Sequence, residues 1–171
     1  MNVKDPVDEL SAQGFIESHH GDGSWPTRSE RYKILRGTPA ETKRGRWWIL
    51  MDGETPLSSQ GVLDFGDWYV GGGTKSMVTG AGNAKQIANH VMELHTDKPF
   101  MIAAVNPALH STFKGLGFRQ VSEVPENTSG AVRQIAETIL KANEPLFVRD
   151  SGDISKSFDY VWEFVIKIGG Y

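Results

Sequence analysis

Residues 69–118 read YVGGGTKSMVTGAGNAKQIANHVMELHTDKPFMIAAVNPALHSTFKGLGF. Several structural patterns follow one another in this stretch. Trp68 to Thr74 is a strand, and its glycines at 71–73 mark either a bulge or a place where something approaches the backbone closely. The turn Thr79-Gly80-Ala81-Gly82-Asn83-Ala84 sits where that strand gives way to a helix. Ala84, Ile87, Ala88, Val91, Met92 and Leu94 then fall close to helical spacing, which predicts an amphipathic helix over roughly 82–95 packed on a sheet. Phe100 to Val105 is uninterrupted apolar, as suits a strand buried on both faces. Asn106 and Pro107 open a short helix over 107–114, with Asn106 as cap, and Gly117 to Val124 is a further strand.

Upstream, Arg46 to Met51 (RWWILM) reads as a strand, Asp52-Gly53 as a hairpin turn and Leu57 to Phe65 as the partner strand. With a turn at Gly66-Asp67 and the strand from Trp68, this makes an antiparallel meander. Asp5-Pro6 reads as a helix start, residues 19–29 as a loop, and Tyr32 to Leu35 as a short strand or helix. Downstream, Val132, Ile135, Ala136, Ile139 and Leu140 give one apolar face to a helix over 128–142. Residues 149–157 read as a polar loop, and Tyr160 to Ile168 as a closing strand that alternates imperfectly. A meander followed by a β-α-β crossover is an α+β arrangement with a mixed sheet, expected to form one domain over 1–171.

Composition narrows the classes. At 171 residues, 39% hydrophobic and 23% charged, the chain has the makeup of a soluble globular domain. A net charge of −3 gives no electrostatic case for nucleic acid or an anionic membrane as main partner. With no cysteine there are no disulfides, thiolate metal sites or thiol nucleophiles. No apolar window is long enough to span a membrane, and the N-terminus lacks the apolar run of a signal peptide, so an intracellular, cytoplasmic location is expected. His19-His20 has no partner residues in a ligand pattern, so no metal is expected.

The turn at 79–84 carries chemistry. A helix N-terminus presents unpaired N–H groups and the positive end of the helix dipole, which suits phosphate. Glycines at 80 and 82 let the backbone come close without Cβ clashes, and Lys85 adds a charge in the first turn. The plainer reading is a connector between strand and helix. It is not a nucleotide P-loop, because no Gly-Lys-Ser/Thr closes it, and a dinucleotide fingerprint would need a third glycine.

Taken with Asn106, Leu109, Phe113, Gly117 and Phe118, the stretch resembles the core of the GNAT superfamily, the acetyl-CoA-dependent N-acetyltransferases. The family's cofactor loop runs Arg/Gln-x-x-Gly-x-Gly/Ala, and this chain offers Thr79-x-x-Gly82-x-Ala84, matching at the last two positions and departing at the first. The later family motif runs Asn, a small residue, an aromatic that is usually Tyr, then Gly-Phe. Gly71-Gly72-Gly73-Thr74 is similar to the strand before the cofactor loop in short members encoded by tailed phages. The resemblance covers roughly 45–124 and implies acetyl-CoA or another acyl-CoA as cofactor.

Carried onto this chain, the resemblance implies that Gly73, Thr74, Thr79, Gly80, Ala81, Gly82, Asn83, Ala84, Asn106 and Phe113 bind the cofactor. Backbone N–H groups at 80–84 would hold the pyrophosphate. The strand end near Gly73 and Thr74 would polarise the thioester carbonyl, and the acyl group would pass to an unidentified amine by direct attack. Asp64 or Asp67 would be the base. Phe113 stands where many members have a proton-donating Tyr. Three readings stay open: another donor, with His110 or Ser111 nearest; water; or no catalysis. The last implies the alternative of an inactive GNAT-fold structural or regulatory binding protein, such as a phage virion component. A phage-encoded chain would reside in the host cytoplasm or the virion.

Overall fold

Alternation of apolar side chains builds one mixed sheet from β1 (Asn2–Val7), β2 (Gly45–Asp52), β3 (Thr55–Asp64), β4 (Tyr69–Ser76), β5 (Phe100–Ala103), β6 (Arg119–Val121) and β7 (Leu146–Arg149). The computed structural model describes residues 1–25, 45–78 and 82–151. The expected element at Tyr32–Leu35, the closing strand Tyr160–Ile168 and the loop residues Thr79, Gly80 and Ala81 lie outside the described residues. The strand order is β1-β2-β3-β4-β5-β7-β6. Among the described strands only β4 and β5 run parallel; every other neighbouring pair is antiparallel. Four α-helices cover the sheet among the described residues: α1 (Glu9–His20), α2 (Asn83–Glu93), α3 (His110–Gly115) and α4 (Gly130–Lys141). This is the α+β, mixed-sheet architecture expected, with the meander and the β-α-β crossover in their expected places.

The sheet separates two apolar layers. On one face Ile49, Leu63, Val70, Met101 and Val148 meet Ala12 and Ile16 of α1 and Val132, Ile135, Ala136 and Ile139 of α4. On the other, Leu50, Val62, Tyr69, Phe100, Ile102 and Phe147 meet Ile87, Ala88, Val91 and Met92 of α2 and Phe113 of α3. Successive residues such as Val62 and Leu63, or Tyr69 and Val70, go to opposite layers because a strand has period two. Truncating a core side chain in either layer, as in Ile87→Ala, would cost about 2–5 kcal/mol.

The structure changes several boundaries. The segment around Asp5-Pro6 is not a helix start but edge strand β1, and Pro6 falls at the register break between Lys4 and Val7, where a missing N–H breaks no ladder bond. The helix begins after Asp8, whose carboxylate accepts the Ser11 N–H at 2.8 Å, and continues through His20 into the expected loop. The β2–β3 connection is a two-residue hairpin with Gly53 at φ 59, a sign that only glycine takes easily at that place. Strand β6 is shorter than 117–124, and β7 at 146–149 is a strand that the reading of 149–157 as loop does not anticipate. No helix among the described residues is long and apolar enough to cross a membrane.

Candidate functional site

The parallel pair β4 and β5 is joined at only two register positions, Tyr69 with Phe100 and Val70 with Met101. Beyond them β4 continues to Ser76 paired with β3 alone, and β5 continues to Ala103 paired with β7 alone. The two strands therefore part, leaving backbone on both sides without a ladder partner among the described residues. At the base of this gap Gly71 is packed so closely that a Cβ would come within 2.4 Å of Ile102. Gly72 is the extra residue of a β-bulge, since Gly61 pairs with Gly73 and Val62 with Gly71. Its other side is closed by the Trp47 indole, 2.8 Å from where a Cβ would stand. Gly73 differs from both. It has φ +111, and no described residue lies within 4 Å of its Cβ position. The strand is thus sealed up to Gly72 and opens at Gly73.

Helix α2 begins just past the end of β4. Its N-cap is Gly82 in the left-handed region (φ 70, ψ 19), with no side-chain cap and no acidic residue in the first turn. Among the described residues, no carboxylate or hydroxyl covers the first N–H groups of α2 and its positive dipole end. Asn83 anchors this end. Its carbonyl accepts from Ser58 Oγ at 2.8 Å, its Nδ2 donates to Val78 O at 3.0 Å, and its buried Oδ1 has no hydrogen-bond partner among the described residues. Ala84 packs partly into the core, and Lys85 is exposed. Below Ser58 on β3, fully buried Gln60 donates from Nε2 to Gly61 O at 2.8 Å and accepts from Thr74 Oγ1 of β4.

The remaining expected residues fall in three places. His110 donates from Nε2 to Ala104 O at 2.7 Å and lies against the Phe147 ring. Ala104 follows the end of β5, three residues past the Val70–Met101 pair, so His110 is anchored on the β5 side beyond the last β4–β5 pair. Asn106 is exposed and caps the turn before α3, accepting the Ala108 N–H at 3.0 Å. Phe113 is fully buried between Phe118 and Phe147 in the core. Asp64 and Asp67 lie at the β3–β4 turn, level with Tyr69 at the other end of the strand. Five residues of β4 separate that level from Thr74, roughly 16 Å at the strand rise. Burial pushes the Asp64 carboxyl up, but hydrogen bonds from Lys98 Nζ (2.8 Å) and the Gly66 N–H (2.9 Å) outweigh it and hold the group below the usual carboxylate range. An ion-paired carboxylate held ionised is a weak base.

A surface cavity of about 530 Å³ also lies at the Tyr69 end, between Trp68, Pro99, Arg119, Val148 and Asp150. It is remote from the gap, and the α2 N-terminus does not line it. Among the described residues no cluster of His, Asp and Glu could hold a metal ion. Ser58, Gln60 and Trp47 are site residues that the sequence reading passes over. For Ser58 and Gln60 the signal is the polar run Ser58-Ser59-Gln60-Gly61 within β3.

No protein-family model and no curated protein matches the chain. Solved structures do. N-acetylglutamate synthase from Neisseria gonorrhoeae, solved with coenzyme A and N-acetyl-glutamate, aligns over 89% of this chain and 35% of its own, at 13% identity and TM-score 0.55. ElaA from Escherichia coli aligns over 88% and 100%, at 14% identity and TM-score 0.53. The IAA acetyltransferase from Bacillus cereus aligns over 87% and 99%, at 10% identity and TM-score 0.52. At such identities the likeness is one of architecture: the seven strands and four α-helices of the described residues form a GNAT-like α+β fold.

Proposed function

We propose that the protein binds an acyl-coenzyme A in the β4–β5 gap and transfers its acyl group to an amine, with acetyl-CoA as the first candidate. One observation carries this reading: β4 opens at Gly73, beside a strand that has left it, and the next helix in the chain starts without a side-chain cap among the described residues. The residues present fit such a ligand. Among the described residues nothing lies within 4 Å of the Cβ position of Gly73 or Gly82, which in this reading lets an elongated molecule lie against the backbone at each. The N–H groups opening α2 and the nearby Lys85 suit a pyrophosphate, with Thr79, Gly80 and Ala81 completing the loop in this reading. Asn83 Oδ1, without a partner among the described residues, suits an N–H donor.

Bound there, coenzyme A would supply an acyl group activated as a thioester. The chain's own part is to hold and orient it, with backbone donors near Gly73 and Thr74 directed at the acyl carbonyl. For proton movement His110 is better placed than Asp64 or Asp67. Its Nε2–H is used by Ala104 O, which leaves Nδ1 as the ring atom that could accept a proton, on the β5 side beyond the last β4–β5 pair. Asp64 stays ionised beside Lys98 at the far end, and Asp67 is exposed in the same turn.

Gly82→Glu tests the phosphate end. It places a carboxylate at the uncapped helix start, and equilibrium dialysis should find acetyl-CoA binding abolished while Gly82→Asn, which tolerates the left-handed backbone, still binds. Undiminished binding by a folded glutamate variant would show that the loop holds no phosphate.

A further inference from the structure

Gln60 is fully buried, and both ends of its amide have partners. Nε2 lies 2.8 Å from Gly61 O. A carbonyl oxygen only accepts, so the group facing it must be the NH2, and the amide oxygen is left facing Thr74. That oxygen too only accepts, so the Thr74 hydroxyl must donate to it. The single proton of Thr74 is thus committed to β3, and only lone pairs remain. Thr74 is half-buried, one residue past Gly73, on the part of β4 that β5 no longer pairs. A hydroxyl free to rotate would take a donor or an acceptor alike. This one meets an incoming oxygen lone pair to lone pair, and meets an N–H favourably.

We propose that the Thr74 hydroxyl, fixed as an acceptor by Gln60, selects a ligand group bearing an N–H at the mouth of the β4–β5 gap. Resting on the acyl-coenzyme A reading, that group is an amide N–H of the pantetheine arm. A site built to accept a hydrogen bond discriminates strongly against ligands that leave it unpaired. Thr74 is therefore a specificity-determining residue, and Gln60 is the positioning residue behind it.

The test is calorimetric titration of wild type, Thr74→Val and Thr74→Ser with two ligands: acetyl-CoA, and the phosphoadenosine diphosphate fragment of coenzyme A, which lacks the arm. Valine keeps the shape and removes the acceptor; serine restores it. Thr74→Val should bind acetyl-CoA about tenfold more weakly and the fragment unchanged, with Thr74→Ser close to wild type. Equal affinity of Thr74→Val and wild type for acetyl-CoA would overturn the inference alone, as would an equal loss for both ligands, which marks general damage. A wild-type protein that binds neither ligand would overturn the coenzyme reading and this inference with it.

Discussion

Replacing Arg149 with methionine should destabilise the protein by about 2 kcal/mol, although among the described residues no carboxylate is hydrogen-bonded to its guanidinium. Arg149 is only 7% exposed, and its guanidinium serves the ends of two helices. One terminal nitrogen donates to Met92 O at 2.8 Å and His95 O at 2.7 Å at the end of α2, and the other to Leu116 O at 3.3 Å just after α3. These carbonyls lie where a helix runs out of N–H partners and carries its negative dipole end. The cation also sits 4.7 Å from the Phe118 ring. Burial lowers the Arg149 pKa, but carbonyl partners are far too weakly basic to take its proton, so it remains a cation. Methionine keeps the apolar stem and deletes the donors. Three hydrogen bonds at ~1 kcal/mol each are removed, and about 1 kcal/mol is recovered because the buried Nε, unpartnered among the described residues, is gone. For 171 residues a net 2 kcal/mol corresponds to a melting shift of roughly 4–8 °C. Arg149→Lys, with charge but no fork, should fall between wild type and methionine. Urea denaturation followed by far-UV circular dichroism measures all three. A methionine variant within about 0.5 kcal/mol of wild type, a change too small for the removal of buried hydrogen bonds, would refute the two-helix capping argument.

Two further perturbations probe the frame around the site. His95 is half-buried, its Nδ1 donates to Val91 O at 2.6 Å, and burial, the largest effect, holds its pKa below the ordinary value near 6.5. The unfolded chain therefore takes up this proton first, so stability should fall as pH drops through about 6.5 and be flat above it; an unchanged pH slope in His95→Gln would count against this. Gly71→Ala should cost about 1–3 kcal/mol by overpacking at the base of the gap, because its Cβ meets Ile102 at 2.4 Å. Adding Ile102→Val should recover part of that loss, and a Gly71→Ala melt matching wild type would mean that the strands part lower than Gly71.

The parts legible in the sequence are those whose signal is local. Helices α2 and α4 carry apolar side chains at every turn, and both occur where the spacing predicts them. Strands β2 to β4 are bounded by glycine turns whose backbone sign is strand-specific. Edge strand β1 is hidden because Asp5-Pro6 has the chemistry of a helix start, and only its pairing with β2 decides otherwise. Strand β7 is four residues long, too short for a period to show, yet it inserts between β5 and β6 and joins them in one sheet. At the site, Gly82 and the glycines of β4 are readable because backbone freedom is encoded in residue type. The burial of Phe113 and the far position of Asp64 and Asp67 are not, since each depends on which way a strand or helix faces after the chain has closed. The Gln60–Thr74 pair joins two strands through residues 14 apart, with no sequence signal beyond a polar residue in a buried strand.

The central claim, that the gap and the α2 N-terminus together hold an acyl-coenzyme A, is most directly tested by melting the wild-type protein with and without acetyl-CoA. At a ligand concentration 100 times Kd the account predicts stabilisation of about 2.7 kcal/mol, or a rise of roughly 5–10 °C in melting temperature. No rise at millimolar acetyl-CoA would contradict it.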